Sequence, residues 1–74
     1  MILNPIIGKR YQVWYRKEVA PEMPLHGKIG VAVIASRGKP RNHGIKIDNI
    51  IYVVPCGNLR TIKGGSNGRD KRQV

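Results

Sequence analysis

The chain has 74 residues, with 14 Lys+Arg against 4 Asp+Glu, a formal net charge of +10 and a pI near 10.5. That length holds one domain with a modest core, and 41% hydrophobic residues is too many for a wholly disordered chain. A single cysteine excludes an internal disulfide, one Cys with two His cannot close a four-ligand zinc site, and the longest apolar run, Ile50 to Val54, is far below the roughly 20 residues that span a bilayer.

Met1-Ile2-Leu3 is followed at once by Asn4-Pro5, without the basic region and long apolar block of a secretory leader. The expectation is a soluble protein of a reducing, cytoplasmic compartment. Tyr11 to Arg16 is rich in β-formers and alternates loosely in polarity, so it reads as the first strand. Lys17 to Gly27 contains Pro21 and Pro24 and reads as a long loop. Ile29 to Ala35 is a second strand, apolar on both faces, as expected of a strand covered on two sides. Ser36 to Asn42 is a loop by its Ser, Gly, Pro and Asn content. Ile45 to Ile47 alternates, Asp48-Asn49 supplies a two-residue hairpin turn, and Ile50 to Val54 returns. Pro55 to Asn58 is a tight turn, and Leu59 to Ile62 a short last strand. From Lys63 onward only the terminal Val74 is apolar and three glycines fall within five positions, so residues 63–74 read as a flexible basic tail. Residues 1–62 hold ten Lys/Arg and three Asp/Glu, net +7, so the domain is basic without the tail.

The fold class this implies is all-β. A strand, a long Pro-containing loop, a three-strand meander, a one-turn break and a short last strand resemble a small five-stranded SH3-like barrel over about residues 8–62. Closing the sheet also hides strand edges. Gly27-Lys28-Ile29-Gly30-Val31-Ala32 is similar to the Gly-Lys-x-Gly-x-apolar core of the KOW element of ribosomal proteins and transcription elongation factors. It departs from that pattern in its small Ala32 and in the prolines that crowd the preceding loop.

Catalysis has little to draw on. Cys56 lies in a Pro-Cys-Gly turn with no helix start behind it to activate a thiol, and reads as a small semi-buried apolar residue. His26 and His43 each precede a glycine and read as solvent-facing turn residues, while Glu18 and Glu22 are separated by Pro21. The expectation is no catalytic residue, no metal and no cofactor.

Charge is the stronger signal. Arg37, Lys39 and Arg41 alternate in an acid-free loop, with Asn42 and His43 beside them. In an extended loop alternate side chains share a face, where they would meet phosphates. Lys9, Arg10, Arg16, Lys17, Lys28, Lys46 and Arg60 extend the basic field. Trp14 faces away from Val13 and leaves three roles open: core bulk, an anchor for a protein partner, or a platform for an unpaired base. The leading expectation is a nucleic-acid-binding barrel that prefers RNA or single-stranded DNA, because it has no helix to enter a major groove. Its contacts would be Arg37, Lys39, Arg41, Asn42, His43, Arg16, Trp14 and Lys28. The alternative is a protein-binding adaptor that regulates a larger enzyme or nucleoprotein complex. In neither case is a membrane the partner.

Overall fold

The computed structural model describes residues 1–62, and the expected tail, 63–74, lies outside the described residues. Five strands form, β1 (Arg10–Val13), β2 (Ile29–Ile34), β3 (Asn42–Ile47), β4 (Ile50–Pro55) and β5 (Leu59–Thr61), with short 3₁₀ turns at Ala20–Glu22 and Cys56–Asn58. They make one antiparallel sheet in the order β4-β3-β2-β1-β5. The two outermost strands are consecutive in the chain and joined by three residues, so the sheet must curl to bring them to one end. The architecture is compatible with an SH3-like small β fold.

Alternation decides the core. Tyr11 and Val13 of β1, His43, Ile45 and Ile47 of β3, Val54 of β4 and Leu59 of β5 are buried, with Ala32 at the centre of β2. Ile2, Tyr15, Leu25 and Tyr52 pack against this cluster. The β3–β4 hairpin turns where the sequence predicts. Asp48 and Asn49 have φ of 51° and 67°, the paired left-handed conformation that matches strand twist in a two-residue turn. The Pro55–Asn58 break is realised as a 3₁₀ turn with Pro55 as its N-cap.

Both glycines of the Gly27–Ala32 segment have a local cause. Gly27 takes φ +82°, which any side chain would strain, and a Cβ on Gly30 would stand 2.5 Å from Ile47 Cγ1, 2.6 Å from Ile45 Cγ2 and 2.7 Å from the Lys46 carbonyl oxygen.

Three sequence expectations are corrected. β1 ends at Val13: the Trp14 amide keeps the β1–β5 register on Asn58 O at 2.9 Å, but there the partner strand passes into the 3₁₀ turn, and the Tyr15 amide goes to His26 Nδ1 at 3.0 Å. β3 starts at Asn42, so Asn42 and His43 belong to a strand and not to the preceding loop. β2 is not covered on both sides: Gly30 and Ala32 are buried, but Ile29 and Ile34 remain exposed. One sheet gives the outer face no second layer to pack against. What covers Gly44 there is the Ile34 side chain, whose Cβ is 2.9 Å from where a Gly44 Cβ would be.

The first nine residues form a strap across one end of the sheet. Ile2 N–H donates to Cys56 O at 3.0 Å, Gly8 N–H to Ala32 O at 2.8 Å, and Ala32 N–H to Lys9 O at 3.0 Å. The Tyr11 hydroxyl accepts the Ile6 amide at 2.9 Å, which ties the strap to the core.

Candidate nucleic-acid interface

The expected site residues fall into two groups at opposite ends of β2. Trp14, Arg16 and Lys28 lie where β2 begins. Arg37, Lys39, Arg41, Asn42 and His43 lie beyond its end. Six residues of strand separate them by about 17 Å.

At the first end, Trp14 leaves β1 and is clasped by the 3₁₀ turn. Its amide donates to Asn58 O at 2.9 Å, and its carbonyl accepts Asn58 Nδ2 at 3.1 Å. These bonds fix the backbone and let the indole point outward, 42% exposed, as expected for the residue that alternates with buried Val13. The His26 ring packs beside it with centroids 4.3 Å apart and a 48° tilt. His26 Nδ1 accepts the Tyr15 amide, so the imidazole is oriented by β1's continuation and not free in solvent.

Trp14 is the wall between two grooves. One, of about 500 Å³, is lined by Gln12, Trp14, Ile29, Arg60, Thr61 and Ile62. The other, of about 360 Å³, is lined by Trp14, Tyr15, Lys17, Ala20, Pro21 and His26. Each has one cation in its lining and neither has an acid. Arg60 Nη1 is bonded to Gly57 O at 2.9 Å and Leu59 O at 3.0 Å. The guanidinium is thus held in place while its other N–H groups remain for a ligand. Sequence reasoning named Arg60 and Lys17 only as part of the general basic field. The grooves come from the approach of β5 and of the 17–28 loop to β1, which no local pattern encodes.

At the second end the chain is less available than its composition suggests. The backbone bends over residues 38–40, so the extended geometry that would align Arg37, Lys39 and Arg41 on one face does not hold. Arg37 and Lys39 are exposed, but Arg41 turns back on the strap, with Nη1 at 3.1 Å from Leu3 O and 3.0 Å from Asn4 Oδ1. His43, read as a solvent-facing loop residue, is fully buried. Its Nδ1 accepts the Ser36 amide at 3.0 Å, so Nε2 carries the proton and donates to Ile2 O at 2.9 Å. Neither ring nitrogen is left for a phosphate. Asn42 is half-buried in β3 opposite Pro55.

Among the described residues no group of three or more His, Cys, Asp or Glu is placed to hold a metal ion. No described helix is long and apolar enough to cross a membrane. No family model, curated protein or solved structure matches this chain.

Proposed function

We propose that the protein binds single-stranded nucleic acid, RNA or DNA, with Trp14 as the stacking platform and Arg60, Lys17, Arg16 and Lys28 as phosphate contacts. One observation carries the reading: a clasped, outward-facing indole stands between two acid-free grooves, each with a cation in its wall. A base stacks on an aromatic face whatever its sequence, and a groove with cations along it follows the backbone. Arg37 and Lys39, at the far end of β2, add long-range attraction and not a shared contact surface. The SH3-like reading of the fold and the KOW-like segment are consistent with this function, and cytoplasmic location is part of the same proposal.

Trp14 is the sole tryptophan, so its emission reports the site directly. Titration with mixed-sequence single-stranded RNA and DNA should quench it, and affinity should fall steeply as salt rises, because each neutralised phosphate releases counterions. An unchanged emission at low salt with both oligonucleotides would overturn the proposal.

A second reading is supported by Ile29 and Ile62, exposed apolar residues in the larger groove beside Trp14 and Arg60. Trp and Arg around an apolar floor also describe a protein-contact hot spot, as in an adaptor that modulates a larger enzyme or nucleoprotein complex. Recovery from lysate of one stoichiometric protein that survives nuclease treatment, with no oligonucleotide binding, would select it.

A further inference from the structure

We propose that the free edge of β4 pairs, antiparallel and about a two-fold axis, with β4 of a second copy of this chain. Among the described residues β4 pairs with β3 alone and is the last strand of the sheet on its side. The two-residue turn at Asp48-Asn49 makes Ile47 and Ile50 a hydrogen-bonded pair, so Ile50, Tyr52 and Val54 direct their amides and carbonyls toward β3. Ile51 and Val53 therefore direct theirs to the open edge. The same two residues expose their side chains on the outer face, Ile51 by 53% and Val53 by 71%. Pro55, next in that alternation, has no amide to offer, and beyond it the strap covers the chain at Cys56.

Pro55 is the one usual protection in this edge strand, and it stands at the strand's end. Ile50-Ile51-Tyr52-Val53-Val54 contains no charge, no proline and no glycine, and four of its five residues are β-branched. A second copy is the occupant this edge fits. With the axis at Tyr52, Ile51 exchanges both backbone bonds with Val53 of the partner subunit, and the symmetric pair repeats the exchange. Outer-face side chains then meet apolar to apolar, with Ile34 continuing the stripe across Gly44. The flanking charges are complementary in this orientation. Asp48 stands at one end of β4 and Arg41, on the β3 side of Cys56 and held to the strap by Nη1, at the other, so antiparallel pairing sets the acidic end of each copy toward the basic end of its mate as a long-range attraction without an ion pair. The net charge of +10 opposes any association at low salt, so this one should strengthen as salt rises.

Sedimentation velocity on the full chain, over a concentration series at high ionic strength, should show a reversible doubling of mass. The Ile51 and Val53 amides should become protected from hydrogen exchange as concentration rises. The variant Ile51→Lys/Val53→Lys should sediment as a monomer at every concentration, with an unchanged β-sheet spectrum and an unchanged chemical-shift pattern for the buried core. A wild-type chain that stays monomeric throughout would overturn the proposal. So would a dimer that the double lysine variant still forms, or one in which those two amides exchange at the monomer rate.

Discussion

The two ends of β2 carry similar residues and differ in what those residues have left to give. At the end where β2 begins, Asn58 and the His26 side chain grip the backbone of Trp14 and Tyr15, so the indole and nearby cations face outward. Where β2 ends, the expected contact residues are themselves the fasteners. His43 uses both ring nitrogens and Arg41 one guanidinium nitrogen to fasten the strap and the 35–41 segment. A side chain whose every polar atom is bonded inside the fold, as in His43, is structure, whereas one with donors to spare, as in Arg60, can still meet a ligand.

Five substitutions would break or sharpen that contrast. Gly30→Ala, between the two ends, should have the largest effect. Its Cβ meets two core isoleucines and a backbone carbonyl at 2.5–2.7 Å, so about 3 kcal/mol or more of stability should be lost in denaturant unfolding. His43→Phe keeps the ring's bulk but strands the Ser36 amide and the Ile2 carbonyl, and should cost about 2–4 kcal/mol while leaving oligonucleotide affinity per folded molecule intact. Reduced affinity of the folded variant would move the binding surface to this end. Trp14→Ala should reverse the pattern: oligonucleotide binding weaker by about 1–3 kcal/mol in a filter or anisotropy assay, and stability changed by less than about 1 kcal/mol. Arg41→Ala should cost about 0.5–1.5 kcal/mol of stability through its bonds to the strap, whereas Arg37→Ala should stay within about 0.5 kcal/mol and only flatten the salt dependence of binding. Equal destabilisation by the two arginine variants would mean that the strap does not depend on Arg41.

Much of the fold was legible because its signals are short-range. The alternation of Ile45 and Ile47, the turn residues Asp48 and Asn49, and the Pro55–Asn58 break each act within a few positions, and each is where the sequence puts it. Alternation likewise turns Trp14 away from inward-facing Val13 but leaves core bulk among its roles, and only the fold shows it exposed. The second end was not legible, because its partners are remote in sequence: His43 meets Ile2 across 41 positions, and Arg41 meets Leu3 and Asn4 across 38 and 37. A glycine after His43 suggests a turn when read locally. In the fold Gly44 is there because Ile34 crosses it, and β3 carries the histidine inward. The shortening of β1 has the same origin, since its partner strand passes into the 3₁₀ turn at Asn58 and His26 takes the Tyr15 amide.

The bond between Ile2 and Cys56 has a consequence for how the protein is made. Ile2 and its neighbours cannot complete their interactions until β3, β4 and the 3₁₀ turn after them, which are translated later, have been made. Val13 likewise waits for Leu59. With so many contacts between distant parts of a short chain, native structure should appear only after nearly the whole domain has emerged, and at the slower rates typical of high contact order.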